Sequence, residues 1–388
     1  MGWLDGILFR SRRQREARRK KQETLQAALE ADGPDAVWPA LVRALEEDPD
    51  DEALYRIAGR ALLGGDARRV GELFDRAADA PHDPQRRFEL GSALLAEGEA
   101  EAAAAVLEGA IALAPFDAVV RSELALAYAR SGRRAKVRAA LVVHPCLGDD
   151  PGALFELAWA SLLEGDLDTA ERAGHELHGA PALRHKLERA LDRARAGPPM
   201  HDARDYYFVE HGGVVLHPGR PLRRRPAGPG PAAGWIAQAI ADAGAVLERL
   251  LPSPRRVVAL DGAHAPLADA LARACGGAVV PAGRGRLPSA IVPLWSAASL
   301  EELAPESRRA PELWLLALSA DHRRTLPRAP DLVGAFTRDV TLARAPLPDV
   351  LPAPSSTILD FVESRRAYLP PRGERVPSAY VPDAPLPR

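Results

Sequence analysis

The sequence contains no asparagine, only four lysines and only two cysteines in 388 residues. The cysteines, Cys146 and Cys275, are too few for a disulfide framework. Both fall in apolar stretches of helical pattern, so a reducing cytoplasm is the predicted compartment. No run of about 18 apolar residues occurs, which argues against a membrane-spanning helix. The net charge is −2, which argues against nucleic acid as a partner of the chain as a whole.

The first half of the sequence carries an internal repeat. Five glycines are spaced by 32, 33, 34 and 33 residues, and an apolar residue stands eight positions before each of them. The residue seven positions before the glycine is small in all but the first repeat. The five glycines are Gly33, Gly65, Gly98, Gly132 and Gly165. This pattern predicts stacked helical hairpins with close helix contacts and left-handed turns at the glycines.

Two of these repeats carry the residue pattern of a known family. One contains Leu90-Gly91, Leu94, Gly98, Ala103, Leu107, Ala110 and Pro115, and the next contains Leu124-Ala125, Tyr128, Gly132, Val137 and Leu141. On these residues, positions 22–180 resemble the tetratricopeptide repeat family. The resemblance implies an all-α solenoid of four or five hairpins whose first helices line a concave, protein-binding groove. A helix at 183–196 is predicted to cap the stack.

The predicted groove positions are mostly apolar and carry almost no charge. Seven side chains are predicted to bind a partner there: Tyr55, Phe88, Leu95, Ser122, Leu126, Phe155 and Trp159. This lining suits an apolar or helical peptide, with the aromatic side chains as anchors. The alternative occupant is the chain's own C-terminal domain, because an apolar surface of this length seldom stays exposed.

The N-terminal segment combines an apolar helical face with a basic run. Trp3, Leu4, Ile7 and Leu8 would share one face of a helix, and residues 10–21 hold eight basic residues and one acidic residue. This pattern predicts a weak peripheral contact of residues 1–21 with an anionic membrane, at the inner membrane of a bacterial-type cell. The alternatives are a first solenoid helix with a solvated basic extension and a basic tail that touches nucleic acid.

Proline becomes frequent after residue 200, which predicts a domain boundary there. Residues 206–209 and 214–217 are predicted to form a β-hairpin, followed by a linker at 219–234. Helix and strand patterns then alternate from Trp235, which predicts a small open α/β domain with a mostly parallel sheet. The predicted helices are 235–251, 266–275, 300–309 and 357–368, and the predicted strands are 256–260, 278–281, 290–294, 313–319 and 340–343.

An enzyme site, if the chain has one, is expected at the carboxyl ends of these strands. Asp261 and His264 follow one strand, and Asp321 and His322 follow a later one. The segment from Arg256 to Pro281 is faintly similar to the start of a phosphoribosyltransferase-type fold, which would imply a degenerate member because that family's acidic pair and phosphate loop are missing. Capping and solvation of the loop are the structural alternative for Asp261 and His264.

The sequence therefore predicts a multidomain scaffold or adaptor protein that binds its partner in the repeat groove. The alternative is a transferase or hydrolase whose site lies on the α/β domain. No cofactor and no metal site is predicted. The predicted organisation is listed from the N-terminus: basic segment 1–21, repeats and cap 22–199, hairpin and linker 200–234, α/β domain 235–369 and Pro-rich tail 370–388.

Overall fold

The computed structural model describes residues 3–63, 68–197, 199–217, 229–281, 290–303, 313–321, 329–337, 347, 350–366 and 369. The chain divides into two compact units, Met1–Ala160 and Ser161–Arg388. This division falls inside a helix, well before the boundary that the rise in proline predicts near residue 200.

The first unit consists of helices. They are α1 (Trp3–Asp32), α2 (Pro34–Glu47), α3 (Glu52–Leu63), α4 (Arg68–Asp79), α5 (Pro84–Ala96), α6 (Ala100–Leu113), α7 (Ala118–Arg130), α8 (Arg134–Val142) and α9 (Pro151–Leu163), the last of which continues past the division. Consecutive helices contact one another from α3 to α8. The predicted short N-terminal helix and its basic run belong to one continuous helix, α1.

The turn glycines have the predicted conformation. The φ angles of Gly33, Gly98, Gly132 and Gly165 lie between 71° and 85°, in the left-handed region, whereas Gly65 lies outside the described residues. The small position of the repeat also has the expected contact, because a Cβ on Gly91 would lie 2.5 Å from Leu107 Cγ. Close packing of α5 on α6 therefore depends on the small residue at this repeat position.

Helix α2 departs from a simple chain of neighbouring hairpins, because it packs against α6. The Trp38 indole donates to Glu99 Oε2 at 2.8 Å and meets the ring of Phe74 edge-on, with centroids 6.2 Å apart. At the other end of α2, Glu46 forms an ion pair with Arg133. Ala102 to Leu107 of α6 are all buried, as expected for a helix that contacts α2, α5 and α7.

The second unit contains a six-stranded parallel sheet. The strands are β1 (Val214–Val215), β2 (Arg256–Val258), β3 (Ala278–Val280), β4 (Ile291–Leu294), β5 (Trp314–Asp321) and β6 (Leu332–Thr337), in the spatial order β1-β6-β5-β4-β2-β3. Its helices are α10 (Leu167–Glu176), α11 (Pro181–Ala196), α12 (Ala203–His211), α13 (Pro229–Leu250), α14 (Ala265–Ala274) and α15 (Ser356–Arg365). The predicted small α/β sheet is confirmed.

Both faces of this sheet are covered. Every side chain of β5 from Trp314 to Ala320 is buried, as expected for a central strand of a parallel sheet. Helix α14 packs on β2, β3 and β4, and α13 packs on β5 and β6. The short 3-10 segment Ala297–Glu302 contacts β4 and β5.

The predicted β-hairpin at 206–217 is wrong. Residues Ala203–His211 form α12, because the Asp202 side chain accepts hydrogen bonds from the N–H groups of Arg204 and Asp205, and Gly212 ends the helix with φ 67°. Val214–Val215 is a strand, but its parallel partner is β6. The β-propensity of the Tyr206–Val209 run is overridden by this cap and by burial of Tyr207, Phe208 and Val209.

Other elements also differ from the prediction. Helix α13 begins at Pro229, inside the predicted linker. The predicted helix at 300–309 is instead the 3-10 segment Ala297–Glu302 as far as the structure describes it, and β6 was not predicted. Cys146 is exposed in the turn after α8 rather than helical. The predicted strand at 340–343 and the predicted tail at 370–388 lie outside the described residues.

Candidate functional site

The seven predicted groove residues divide into two sets by exposure. Tyr55, Leu95 and Phe155 are buried at 3–4% exposure, so they are core side chains and not open anchors. Tyr55 packs on Phe74 at 5.9 Å and donates its hydroxyl hydrogen to the carbonyl of Pro49. The half-buried set consists of Phe88, Ser122, Leu126 and Trp159.

Ser122 belongs to a hydrogen-bonded cluster. Its hydroxyl donates to Asp150 Oδ2 at 2.6 Å and lies 2.9 Å from His144 Nε2. Burial raises the pKa of the Asp150 carboxyl, but hydrogen bonds from Ser122 and from the first turn of α9 outweigh it and lower the pKa overall. The cluster therefore holds an ionised carboxylate.

This cluster is not arranged for nucleophilic catalysis. His144 Nδ1 accepts the N–H of Cys146 at 3.1 Å, so the ring proton of the neutral imidazole is on Nε2, where it faces the carbonyl of Ala118. An Nε2–H group cannot take a proton from Ser122. The cluster instead ties α7 to the start of α9.

Among the described side chains of the first unit, the most exposed large apolar ones lie at one end of the hairpins. Phe116 is 86% exposed, Val142 is 71% exposed, and Val119 and Val143 are each more than 60% exposed. We call these four residues the Phe116 patch. None of them was predicted from the repeat register, although the turn Pro115-Phe116-Asp117 and the helix-ending run Val142-Val143 are visible in the sequence.

Contacts between helix ends bring the patch together. Asp117 caps α7 by accepting from the N–H groups of Val119 and Val120. Arg121 Nη1 donates to the carbonyl of Ala140 at 3.2 Å, and His144 Nε2 lies 3.1 Å from the carbonyl of Ala118. The start of α7 is therefore fixed beside the end of α8.

In the second unit, the sheet has a point where the chain order reverses. Strand β2 lies between β3 and β4, so the chain moves outward to β3 and then crosses to the other side of β2. In open parallel sheets, ligands bind at the carboxyl ends of the strands beside such a point. The loops that follow β2 and β4 therefore form the candidate ligand site.

Asp261 and His264 lie in the loop after β2, and their side chains contact each other there. His264 Nδ1 lies 2.7 Å from Asp261 Oδ1, which also accepts the N–H groups of Ala263 and His264. The hydrogen bond from the His264 side chain is the main cause that lowers the pKa of the Asp261 carboxyl. His264 is only 2% exposed, and its Nε2 has no hydrogen-bond partner among the described residues.

Side-chain hydrogen bonds from the end of β4 and from β5 hold the loop after β2 at the same edge of the sheet. The Trp295 indole donates to the carbonyl of Ala263 at 3.0 Å, and Ser319 Oγ donates to the carbonyl of Trp295 at 2.9 Å. The backbone of Asp321 ends β5 opposite Thr337. His322 lies outside the described residues.

The described residues contain no helix long and apolar enough to cross a membrane. Within that same part of the chain, no three His, Cys, Asp or Glu side chains are grouped so that they could hold a metal ion. No protein-family model matches the sequence, and no curated protein matches it significantly.

Proposed function

We propose that this chain is a protein-interaction scaffold whose first unit binds a partner protein through the Phe116 patch. The exposure of Phe116, Val119, Val142 and Val143 is the observation that supports this function. Large apolar side chains that cluster at a surface are a feature of interaction sites. The glycine turns and the Gly91–Leu107 contact support a tetratricopeptide-like solenoid as the framework.

The chemistry of the patch favours an apolar partner surface such as the face of an amphipathic helix. Phe116 would act as the anchor, because an aromatic ring buries a large area, at roughly 25 cal/mol per Å² of apolar surface. The valines have few rotamers, so ordering them on binding costs little conformational entropy. The half-buried groove residues Phe88, Leu126 and Trp159 would add contacts to a longer partner segment.

Photo-crosslinking tests this proposal. A photoreactive amino acid replaces Phe116 in one sample and the exposed Arg68 in another, and both proteins are irradiated in native cell extract. We expect a discrete crosslinked partner from position 116 only. Val142→Glu should abolish that adduct, whereas Val350→Glu, at another highly exposed valine, should not.

Two results would contradict the proposal. One is labelling at position 116 no stronger than at position 68. The other is equal labelling in the Val142→Glu and Val350→Glu proteins. Circular dichroism of each variant separates loss of the patch from loss of the fold.

A second candidate function is an enzyme activity at the Asp261–His264 site. It is favoured by the buried Nε2 of His264, which none of the described residues contacts through a hydrogen bond and which lies next to the order reversal of the sheet. Nucleotides and sugar phosphates are the probes, and we expect one of them to raise the melting temperature of the native protein. His264→Gln should remove that rise, while His201→Gln, at an exposed histidine, should keep it. An equal rise in both variants would exclude this site.

Contact of residues 1–21 with an anionic membrane stays a prediction, and with it a peripheral location at the cytoplasmic side. The end of the basic run already has partners within the first unit, because Arg18 pairs with Asp48 and Lys21 pairs with Glu47. These pairs leave fewer basic groups for lipid headgroups than the sequence suggests.

A further inference from the structure

A buried histidine ring joins the two helix ends that carry the Phe116 patch. His144 directly follows Val143 at the end of α8, and its side chain reaches the carbonyl of Ala118 in the first turn of α7. The side chain is 8% exposed, and both ring nitrogens have hydrogen-bond partners. A titratable group is therefore part of the contact that brings the patch together.

The hydrogen bonds of this ring require its neutral form. Nδ1 accepts the N–H of Cys146 at 3.1 Å and therefore carries no proton. The Nε2–H group faces the carbonyl of Ala118 at 3.1 Å and the hydroxyl oxygen of Ser122 at 2.9 Å. The Ser122 hydroxyl gives its own hydrogen to Asp150 Oδ2 at 2.6 Å. In the neutral form, each of these donors has an acceptor.

A second proton on the ring has to bind at Nδ1. The new N–H bond would point at the N–H group of Cys146, and two donors cannot share a contact of this length. A backbone N–H group that loses its acceptor must find another or turn towards water. Pro145 and Cys146 are exposed, so the turn between α8 and α9 can take the N–H of Cys146 out to solvent.

The surrounding charges do not restore the lost acceptor. The charged residues within one turn of the residues that the ring contacts are Asp117, Arg121, Glu123, Asp149 and Asp150, and the nearest one in sequence on α8 is Arg138. Arg121 already donates to the carbonyls of Ala140 and Pro115. Attraction to the ionised Asp150 holds a charged ring against α7, but Asp150 lies on the Nε2 side of the ring, away from Cys146.

The turn that would move is continuous with one side of the Phe116 patch. Val142 and Val143 directly precede His144 in the chain. Phe116 and Val119 form the other side, at the start of α7, where the Asp117 side chain caps the helix. Opening of the turn therefore displaces the two sides of the patch relative to each other, and a partner surface that spans both of them loses contacts.

We propose that His144 is a proton-sensitive latch that keeps the Phe116 patch assembled near neutral pH and releases it in acid. The neutral ring holds the turn between α8 and α9 closed, and proton uptake at Nδ1 opens it. Histidine is the side chain whose charge changes between about pH 5 and 8, so the latch operates in that range. The effect on partner binding rests on the proposed function of the patch, whereas the movement of the turn does not.

Two substitutions separate the roles of the ring nitrogens. In His144→Asn, the side-chain oxygen can replace Nδ1 as an acceptor that does not titrate. In His144→Gln, the terminal NH₂ group can replace the Nε2–H donor, but no acceptor faces Cys146. The asparagine variant therefore imitates the closed turn, and the glutamine variant imitates the open one.

Hydrogen exchange of the Cys146 N–H in the full chain tests the latch. After correction for the intrinsic exchange rate, protection in the native protein should fall about tenfold between about pH 7.5 and about pH 5.5, the factor expected for one lost hydrogen bond. Protection should stay high in His144→Asn and be low at both pH values in His144→Gln. The expected behaviour of the native protein is thus a change from that of one variant to that of the other.

The N–H of Gly98 is the internal reference, because it donates to the carbonyl of Leu95 at 3.1 Å in a turn without histidine. His82→Asn, at an exposed histidine of another turn, should behave like the native protein. The latch is overturned if native protection at Cys146 changes no more than at Gly98, or if His144→Asn loses as much protection as the native protein. The comparison with Gly98 needs the native chain alone and decides the question even if a variant does not fold.

Photo-crosslinking from position 116 at the same two pH values tests the effect on binding. The adduct should decrease severalfold in acid in the otherwise native chain and not in the chain that also carries His144→Asn. Equal yields at both pH values in the otherwise native chain would overturn control of the patch by the latch. No adduct at either pH would contradict the proposed function, and the exchange result would still decide the latch.

Discussion

Arg87 shows how a single charged residue can be accommodated inside the helical unit. Its side chain is buried, and Nη2 donates to Asp50 Oδ1 at 2.8 Å and to the carbonyl of Pro81. Its guanidinium lies 5.8 Å from the ring centroid of Tyr55. Gly109 of α6 makes room for it, because a Cβ at that position would overlap the guanidinium. The helix pattern alone predicts none of this, since arginine is a surface residue in that pattern.

Tyr55 makes the stability of the protein depend on pH in the alkaline range. Burial raises the pKa of Tyr55 to about 12, whereas an unfolded tyrosine has a pKa of about 10. Its neutral form therefore stabilises the fold fully below pH 10, and this contribution is lost as the pH rises from 10 towards 12. The loss is at most about 1.4 kcal/mol per pH unit.

Tyr55→Phe should remove this part of the pH dependence. Denaturant unfolding of both proteins at about pH 8 and about pH 11 measures it. The variant also loses the hydrogen bond to the carbonyl of Pro49, which lowers its stability equally at both pH values. The expected result is a smaller alkaline loss in the variant, and parallel losses would show that Tyr55 does not titrate in this way.

At the scale of elements, the hairpins depend on small residues where paired helices touch. Gly91→Val should destabilise the first unit by about 1–3 kcal/mol, the usual cost of overpacking a core. The reason is that a Cβ at residue 91 would lie within 2.7 Å of two carbon atoms of the buried Leu107 side chain. Helix propensity alone would change stability in the opposite direction, because valine forms helix better than glycine.

Gly148→Val is the matched control for this substitution. A Cβ at residue 148 meets no atom within 4 Å, so this variant should unfold close to the native temperature. Thermal unfolding of the three proteins provides the comparison. Equal melting temperatures for the two variants would mean that helix contact at residue 91 does not limit the packing.

The elements that were predicted correctly are those whose backbone conformation is determined by residues within the element itself. The hairpin turns follow from glycines such as Gly98 and Gly132, whose backbone conformation is a property of the residue itself. Helix α12 could not be recognised in the same way, because Tyr206–Val209 favours a strand locally and is helical through the Asp202 cap and through burial. The packing of α2 on α6 depends on contacts between residues far apart in sequence, such as Trp38 and Glu99.

At the scale of the whole molecule, the sequence indicated a helical part followed by an α/β part, but not where the chain divides. The division at Ala160 falls inside α9, where no proline or glycine marks it. Strand β6 escaped prediction because Gly334 interrupts its β pattern, and the structure places Gly334 against the backbone of Leu318. The position of Asp261 and His264 after β2 follows from a strand end that is readable in the sequence, whereas the hydrogen bond from Trp295 to the carbonyl of Ala263 depends on the fold.

The position of β1 has a consequence for the order in which the chain folds. Val214 pairs with Leu332, which is synthesised 118 residues later. At about 5–20 residues per second, the ribosome takes roughly 6 to 24 seconds to supply that partner. The hairpins from α3 to α8 need only neighbouring segments and can close within the time of their own synthesis. On a nascent chain the hairpins can therefore be folded before β1 has a partner strand. A chain that leaves the ribosome before Leu332 is synthesised has no β6 with which β1 can pair.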